Sequence, residues 1–189
     1  MKAALDDGAV MWNGGEIYGP PDANSLQLLN KYFTKYPEDA DKVLLSIKGG
    51  MTFKDGHPAP DGSEANTRRS VDECLKVLDG KKKLDLFECA RVDPNVPIEE
   101  TMKVLNTYIH KGKLGGISLS EIGEKSIRKA AAVAKISAVE IEFSMYSTEI
   151  FTNGVAKVCK ELDIPIVAYS PMGRGMLVSP PARRSAVLY

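Results

Sequence analysis

Two residues of the amino-acid sequence, Tyr18 and Lys48, could together perform acid catalysis. Tyr18 lies one turn beyond the end of a predicted strand, and Lys48 closes the next predicted strand. A phenol has a pKa of about 10, and a neighbouring cation lowers it toward the pH at which a tyrosine transfers a proton efficiently. The pair therefore indicates proton transfer, provided that the fold brings the side chains together. The alternative is a tyrosine at the rim of the fold and a solvated lysine at a strand end.

Further polar residues lie at or just beyond predicted strand ends. They are Arg91, Ser120, Glu121, Glu140 and Tyr169. Because a parallel sheet, whether open and doubly wound or closed into a barrel, places the carboxyl ends of its strands along one edge, a single pocket could collect them. Two of them also have a simpler explanation, with Glu140 paired to a nearby base and Arg91 forming a surface pair with Asp93.

The elements that must position these residues alternate along the chain. Short β-branched runs and longer amphipathic stretches follow one another, which is the order expected of a parallel sheet with crossover helices. The predicted strands are 9–13, 43–48, 84–91, 116–120, 138–144 and 164–170. The predicted helices are 22–36, 66–78, 97–110, 123–134 and 153–162. Asp22 or Asn24 caps the first of these helices.

Two segments between these elements are predicted to be irregular. Residues 49–64 are rich in Gly, Pro and Asp, contain His57 and have no periodic pattern, so we expect a loop at the mouth. The run Lys81-Lys82-Lys83 is expected to be a solvated loop before a strand. No linker divides the chain, and residues 1–189 are therefore predicted to form a single domain.

The composition excludes several classes of protein. Lys plus Arg and Asp plus Glu are balanced at 25 each, which argues against binding to nucleic acid or to an anionic membrane. The three widely spaced cysteines predict neither a disulfide framework nor a zinc site, and they fit a reducing cytoplasm. His57 and His110 lack metal-ligand spacing, so no metal is expected. No apolar stretch approaches the ~20 residues of a membrane span, and the acidic N-terminus does not resemble a signal peptide.

The run around Tyr18 resembles a motif of the aldo-keto reductase family. The family's usual motif reads Asp, Thr, Ala, two variable residues, Tyr and Gly, and this chain has Asn13-Gly14-Gly15-Glu16-Ile17-Tyr18-Gly19, preceded by Trp12. Within the family the chain is most similar to the fungal pyridoxal reductase group, through the first run and through residues 47–50 and 81–93. The similarity continues to about Gly175.

The resemblance implies an incomplete barrel. The family fold is an α/β barrel of the (β/α)8 or TIM type, and this chain is expected to hold about six of the eight strands. The family pattern begins here in its first helix and ends soon after Leu177, and residues 178–184 do not resemble a strand or helix that could close the barrel. Two missing strands would leave two unpaired edges. A shortened gene model, a splice product or a degenerate copy would each explain them.

The resemblance also implies catalytic roles. In the family a tyrosine gives a proton to the carbonyl oxygen of the substrate while NADPH delivers a hydride, and a lysine paired with a carboxylate lies behind the tyrosine. Tyr18 and Lys48 match these positions, and Asn13 stands where the carboxylate would be. Because an amide cannot balance the charge of an ammonium group, we expect Lys48 to be held less tightly.

The contacts to cofactor and substrate follow from the same resemblance. Ser120 and Glu121 would lie near the nicotinamide amide, and the loop after Tyr169 would run beside the pyrophosphate. Glu140 stands where glutamine is common, and a carboxylate cannot donate to the amide oxygen. Ala90 replaces a common histidine and would leave a roomier pocket. The residues expected to bind NADPH are Ser120, Glu121, Glu140, Tyr169, Ser170, Pro171, Gly173, Arg174 and Gly175, and those expected to meet the substrate are Trp12, Ala90 and Arg91.

These expectations predict an NADPH-dependent aldo-keto reductase that converts a small aldehyde into an alcohol, in particular pyridoxal in vitamin B6 metabolism. The rival interpretation is a barrel fragment that keeps part of the cofactor cleft but has no reductase activity. It rests on the two missing strands and on Asn13, Ala90 and Glu140. A phosphate-binding barrel isomerase is a weaker third interpretation, because no glycine-rich phosphate loop precedes a late helix.

Overall fold

The fold consists of one parallel sheet, an added hairpin and a layer of helices. A computed structural model describes residues 1–178. The strands are β1 (Met11–Gly15), β2 (Leu44–Gly49), β3 (Met51–Lys54), β4 (His57–Pro60), β5 (Leu86–Cys89), β6 (Gly116–Ser120), β7 (Ile136–Glu142) and β8 (Ile166–Tyr169). The helices are α1 (Lys2–Asp6), α2 (Ser25–Lys35), α3 (Glu64–Leu78), α4 (Ile98–His110), α5 (Glu124–Ala131) and α6 (Val155–Glu161), with short 3-10 turns at Pro37–Lys42, Glu149–Phe151 and Gly173–Gly175.

The main sheet is an incomplete (β/α)8 barrel. Its six strands lie in the order β1-β2-β5-β6-β7-β8, and every neighbouring pair is parallel. Helices cover the outer face, where the apolar core lies. Its fully buried members on the strands are Leu45, Ile47, Phe87, Ile117, Leu119 and Val139. The predicted α/β barrel with about six strands is therefore confirmed.

The inner face of the sheet is polar. Side chains alternate between the two faces of a strand, so the residues between the core positions point into the curl. These inner residues are buried and include Ser46, Lys48, Glu88, Ser118, Ser120 and Glu140. A sheet with one apolar face and one polar face that are both buried is suited to a polar site in its interior.

The curvature of the sheet can be measured across its interior. Three strand spacings separate β2 from β7, which would be about 14 Å in a flat sheet. Nevertheless Nζ of Lys48 lies 2.6 Å from Oε1 of Glu140. The sheet therefore curls far enough for side chains on opposite sides to meet.

The start of α2 is fixed by a capping box at Asn24. The Asn24 side chain accepts hydrogen bonds from the backbone N–H groups of Leu26 and Gln27, and the Gln27 side chain accepts one from the Asn24 N–H. These bonds satisfy N–H groups that have no partner inside the helix. Of the two predicted caps, Asn24 is correct and Asp22 is wrong, so the helix begins later than predicted.

The predicted mouth loop 49–64 is wrong in part, because it contains the β3–β4 hairpin. Met51 to Lys54 pair with His57 to Pro60 in antiparallel register. The turn between them is Asp55-Gly56, with φ values of +50° and +77°. An Asp-Gly pair with both φ values positive is the sequence signal of a two-residue hairpin. The many Gly and Pro residues of the segment concealed that signal.

The prediction that all of 81–83 is solvated is also wrong. Lys82 is buried, and its ammonium group forms an ion pair with Asp85. The Asp85 carboxylate also accepts a hydrogen bond of 2.8 Å from the backbone N–H of Leu45. This pair links the loop before β5 to the start of β2.

Two further expectations concern the termini and the membrane. Within residues 1–178 no helix is long and apolar enough to cross a lipid bilayer. Of the tail 178–184, which was expected to be neither strand nor helix, all but Val178 lies outside the described range.

Candidate active site

A buried ion cluster around Lys48 forms the centre of the interior. Nζ of Lys48 lies 2.6 Å from Oε1 of Glu140 and 3.1 Å from Oε1 of Glu88. The amide of Asn13 donates a 3.0 Å hydrogen bond to Oε2 of Glu140. The hydroxyl of Ser46 donates a 2.9 Å hydrogen bond to Oε2 of Glu88. Four strands, β1, β2, β5 and β7, thus contribute to one hydrogen-bonded cluster.

The expectation that Lys48 is held loosely is wrong. It assumed that the charge of Lys48 has no partner once Asn13 replaces an acid. Two carboxylates from other strands supply that charge, and the Lys48 side chain is only 7% exposed. Asn13 contributes by orienting Glu140, because its amide donates to the carboxylate that holds the ammonium group.

Burial and charge act in opposite directions on this cluster. Burial lowers the pKa of the Lys48 ammonium group, but the charges of Glu88 and Glu140 outweigh burial and hold the pKa above its ordinary value. Burial and the nearby charge of Glu140 raise the pKa of the Glu88 carboxyl, although Lys48 and Ser46 partly oppose them. Lys48 is therefore a permanent cation in the range of pH where enzymes work.

Tyr18 lies at the edge of this cluster, in the loop between β1 and α2. Nζ of Lys48 is 5.9 Å from the centroid of the Tyr18 ring, and the tyrosine is 49% exposed. The ring covers Gly15 so closely that a Cβ atom there would lie 3.0 Å from two ring carbons. The fold therefore brings the two candidate catalytic residues together and leaves the phenol accessible from outside.

The loop that carries Tyr18 is fixed to the rest of the fold by Glu16. The Glu16 side chain is 6% exposed, and its carboxylate pairs with Arg69 of α3 at 3.1 Å. The Arg69 guanidinium also donates to the carbonyl of Met51 in β3. This network ties the loop both to a helix and to the hairpin. It also borders a surface cavity of about 340 Å³ on the far side of the loop.

Trp12 does not lie with the other candidate site residues. Its ring contacts Tyr32 and Phe33 of α2, with centroid distances of 5.1 Å and 5.9 Å. Its indole N–H donates to the carbonyl of Ala9. Asn13, the next residue, points to the inner face, so Trp12 points to the outer one. This position contradicts the expectation that Trp12 meets the substrate.

Ala90 and Arg91 follow β5 at the mouth. Ala90 is buried and small, while Arg91 is exposed and donates to the Ala90 carbonyl. The expected surface pair between Arg91 and Asp93 does not form. Asp93 instead accepts hydrogen bonds from the backbone N–H groups of Gly62 and Asn95. The Arg91 guanidinium therefore lies at the mouth without that carboxylate as its partner.

Ser120 and Glu121 end β6 beside the ion cluster. Ser120 is paired in register with Glu140, and its buried hydroxyl has no hydrogen-bond partner within the described chain. Glu121 has a φ of +49° and accepts a 2.8 Å hydrogen bond from the N–H of Glu142. Burial and the Glu121 carboxylate raise the pKa of the Tyr169 phenol. Tyr169 is thus a neutral side chain.

The loop after Tyr169 is a succession of tight turns. Ser170, Gly173, Arg174 and Gly175 all have positive φ values, between +53° and +88°. The N–H of Gly173 bonds to the carbonyl of Ser170, and that of Gly175 to the carbonyl of Met172. The Arg174 guanidinium forms two hydrogen bonds to the Glu142 carboxylate, at 2.6 Å and 3.1 Å. Pro171 occupies the exposed outer side of the first turn.

Glu88 was not singled out by the sequence as a site residue. Its signal is an acid in the middle of an apolar strand, Leu86-Phe87-Glu88-Cys89. A charged residue is almost never fully buried unless it is paired. Ser46 in the apolar strand β2 is a weaker signal, because serine is uncharged but mostly exposed, and together with Glu88 it would have indicated that β2 and β5 face a polar interior.

Comparison with known proteins shows the family of the chain. The model of the Aldo/keto reductase family matches residues 1–186. The chain belongs to the aldo/keto reductase family. Over 179 residues it is 50% identical to "Probable pyridoxal reductase 2" of Schizosaccharomyces pombe, with 94% of this chain and 53% of that protein covered. It is 33% identical over 179 residues to "Aldo-keto reductase" of Gibberella moniliformis, with the same two shares covered.

Solved structures support the fold. A glycerol dehydrogenase from Gluconobacter oxydans superposes with a TM-score of 0.83 at 19% identity, over 100% of this chain and 57% of that one. A thermostable aldo-keto reductase in complex with the inhibitor epalrestat gives a TM-score of 0.78 at 20% identity, over 94% and 61% of the two chains. The aldo/keto reductase chain described here spans about half the length of the curated relatives that it matches. Within residues 1–178 no group of three His, Cys, Asp or Glu residues is arranged to hold a metal ion.

Proposed function

We propose that this aldo/keto reductase chain carries the catalytic centre of an NADPH-dependent reductase that converts pyridoxal to pyridoxine. The observation that carries the proposal is the position of Tyr18 over Lys48, with the ammonium 5.9 Å from the phenol ring. A permanent buried cation beside an accessible phenol is the arrangement that stabilises a phenolate after proton transfer. The printed name of the 50% identical Schizosaccharomyces pombe relative supports the choice of substrate.

In the proposed reaction the chain supplies a proton and the cofactor supplies a hydride. A reduced nicotinamide held beside the cluster would supply the hydride that the aldehyde carbon takes up. The Tyr18 hydroxyl gives its proton to the aldehyde oxygen, which becomes the alcohol. Lys48 stabilises the phenolate that remains, and water at the open mouth returns the proton, because Tyr18 is half exposed.

The residues beside the cluster fit a nicotinamide. The Ser120 hydroxyl is buried without a partner in the described chain, and an unpaired buried hydroxyl costs free energy until a ligand satisfies it. A carboxamide offers both a donor and an acceptor to such a group. Ser120 also lies opposite Glu140, and therefore next to the ion cluster. The turns from Ser170 to Gly175 would carry the pyrophosphate, with Gly173 and Gly175 allowing a close approach of the backbone.

The proposed substrate would enter over Ala90 and Arg91. Ala90 leaves room at the end of β5 for a ring with several substituents. The guanidinium of Arg91 lies at the mouth and could meet the phenolic oxygen of pyridoxal, which can accept a charge-assisted hydrogen bond from it. The cytoplasmic location expected from the cysteines stays a prediction.

The test is a titration of the purified 189-residue chain with NADPH, followed by addition of pyridoxal. Circular dichroism and elution volume establish first that the chain is folded. We expect saturable binding, seen in the emission of the reduced nicotinamide, and then pyridoxal-dependent loss of its absorbance. Tyr18→Phe should bind NADPH normally and lower the rate by roughly 10²-fold to 10⁴-fold.

Tyr36→Phe is the matched control for the tyrosine variant, since Tyr36 lies next to α2, away from the ion cluster, and contacts Tyr32 and Lys35. It should retain full activity. A folded chain that does not bind NADPH would contradict the proposal and favour a fragment without reductase activity. A chain that binds NADPH but leaves pyridoxal and other aldehydes unreduced would contradict the catalytic role.

A further inference from the structure

The position of Glu140 in the interior assigns it a different task from the one expected of it. Its two carboxylate oxygens accept from two protein donors, Oε1 from Lys48 at 2.6 Å and Oε2 from Asn13 at 3.0 Å. The side chain is 4% exposed. Both oxygens are therefore engaged toward β1 and β2, across the interior of the curl.

We propose that Glu140 is the positioning residue that holds Lys48 beneath Tyr18, and that it is not a ligand of the nicotinamide. The inference deepens the proposed function and rests on Tyr18 as the proton donor. The carboxylate that fixes the lysine comes from β7, on the far side of the sheet, instead of from β1.

Asn13 and Glu140 form a complementary pair. An amide at position 13 can donate to a carboxylate at position 140 but cannot neutralise Lys48, whereas the carboxylate can accept from that amide and neutralise Lys48 at the same time. Position 13 orients the acid, and position 140 carries the charge. Exchanging the two chemical groups should therefore preserve the charge of the cluster.

Glu140 makes the shorter of the two contacts with Lys48. Its contact with the ammonium is 0.5 Å shorter than that of Glu88, at 2.6 Å against 3.1 Å. The other oxygen of Glu88 accepts a hydrogen bond from the Ser46 hydroxyl, and the other oxygen of Glu140 accepts one from the Asn13 amide. The raised pKa of Glu88 agrees with this order, because burial and the charge of Glu140 favour the protonated form of Glu88.

Three titratable side chains face Lys48 from the neighbouring elements. Glu88 faces it from β5, Glu140 from β7 and Tyr18 from the loop after β1, while Asn13 of β1 is neutral. Removing the charge of Glu140 leaves Lys48 buried with Glu88 as its remaining carboxylate partner. The pKa of Lys48 should then fall.

The test measures the titration of Lys48 directly, by NMR of lysine labelled with carbon-13 at the ε position and assigned through Lys48→Arg. In Glu140→Gln we expect the pKa of Lys48 to fall by about one unit or more. The double variant Asn13→Asp/Glu140→Gln should reverse most of that fall in the pKa of Lys48. Glu142→Gln is the control for this titration, because Glu142 lies on the same strand and pairs with Arg174 instead of Lys48.

Kinetic measurements separate positioning from cofactor binding. With pyridoxal and NADPH, Glu140→Gln should lower kcat and shift the alkaline limb of the pH profile of kcat. The Kd of NADPH should change by less than about 2-fold. An unchanged pKa of Lys48 together with weaker NADPH binding would overturn the inference and make Glu140 a cofactor ligand. If the unaltered chain does not reduce pyridoxal, the proposed function fails, but the titration of Lys48 still decides whether Glu140 holds it.

A second variant covers the case in which Glu140→Gln does not fold. Glu140→Asp keeps the charge and withdraws the carboxylate by one methylene group. A fall in the pKa of Lys48 in this variant supports the inference, and an unchanged pKa contradicts it.

Discussion

Lys48 and Glu140 form a 2.6 Å ion pair although two strands, β5 and β6, lie between the strands that carry them. The pair spans the interior of the curled sheet, so each residue holds the other side of the barrel in place. Because the interior is polar and buried, the pair also sets the charge next to Tyr18. The same contact therefore links the two sides of the sheet and, in the proposed reaction, fixes the cation beside Tyr18.

Removing the ammonium group should destabilise the fold strongly. Lys48→Met leaves the two buried acids Glu88 and Glu140 without a cation, and losing one member of a buried ion pair costs about 3–5 kcal/mol. Urea unfolding at neutral pH measures the change. Lys83→Met, at an exposed position, should stay within about 0.5 kcal/mol of the unaltered chain. Equal effects of the two substitutions would show that the cluster does not stabilise the fold.

Gly15 should control where the Tyr18 ring lies. A Cβ atom at position 15 would lie 3.0 Å from two ring carbons, so Gly15→Ala must displace the ring. Because a misplacement of about 1 Å can cost about 100-fold in rate, the displacement should lower kcat by up to about 100-fold. The rate of pyridoxal reduction at saturating NADPH measures this loss. Gly123→Ala is the control, because a Cβ atom there meets nothing within 4 Å, and its kcat should be unchanged.

The link between Glu16 and Arg69 should stabilise the loop of Tyr18. Arg69→Leu leaves the Glu16 carboxylate almost fully buried without its partner, which costs about 1–3 kcal/mol. Hydrogen exchange should report faster opening of residues 16–19. Arg68→Leu removes a neighbouring arginine whose partner, Glu64, lies on the same helix. If residues 16–19 exchange at the same rate in both variants, the link does not stabilise the loop.

Ser120 should contribute to cofactor affinity and little to stability. Its hydroxyl has no partner among residues 1–178, so Ser120→Ala removes nothing from the fold itself. A hydrogen bond of about 0.5–1.5 kcal/mol corresponds to a roughly 2-fold to 12-fold weaker Kd for NADPH. Ser118→Ala removes a hydroxyl that bonds to the carbonyl of Ala138, and it should lower stability instead. Calorimetric titration and thermal unfolding distinguish the two variants, and an unchanged Kd in Ser120→Ala would contradict the cofactor role.

Acid should destabilise the chain in part through Asp39. Hydrogen bonds from Lys2, Lys42 and Tyr32 hold the pKa of the Asp39 carboxyl well below its usual range. The unfolded chain has a pKa of about 3.9 at this group and binds the proton more readily, so the contribution is complete above that pH and is lost as the pH falls below it.

Asp39→Asn should flatten this part of the dependence of unfolding free energy on pH, measured in urea between about pH 2 and pH 6. Asp41→Asn, at an exposed position of the same turn, should leave the slope unchanged. If Asp39→Asn retains the full slope, other carboxyl groups cause the loss of stability in acid.

The sequence predicted the elements well, because each carries its own local signal. Alternating β-branched runs and amphipathic stretches located the six strands and five of the helices. The hairpin at Asp55-Gly56 was missed because a Gly-rich and Pro-rich context reads as a loop. The burial of Lys82 was missed because a run of lysines reads as solvated, and its acid partner Asp85 is recognised as such only when the start of β5 is known.

The sequence by itself determined the family, the strand and helix pattern and the pairing of Tyr18 with Lys48, since these depend on residue type and order along the chain. The tertiary structure alone decided what holds Lys48 in place. Glu140 is 92 residues away from Lys48, and their contact depends on how far the sheet curls. Curvature arises from the packing of every strand and helix together, so no single stretch of sequence encodes it. The position of Trp12 has a different cause, because alternation along β1 places its ring on the outer face, toward α2.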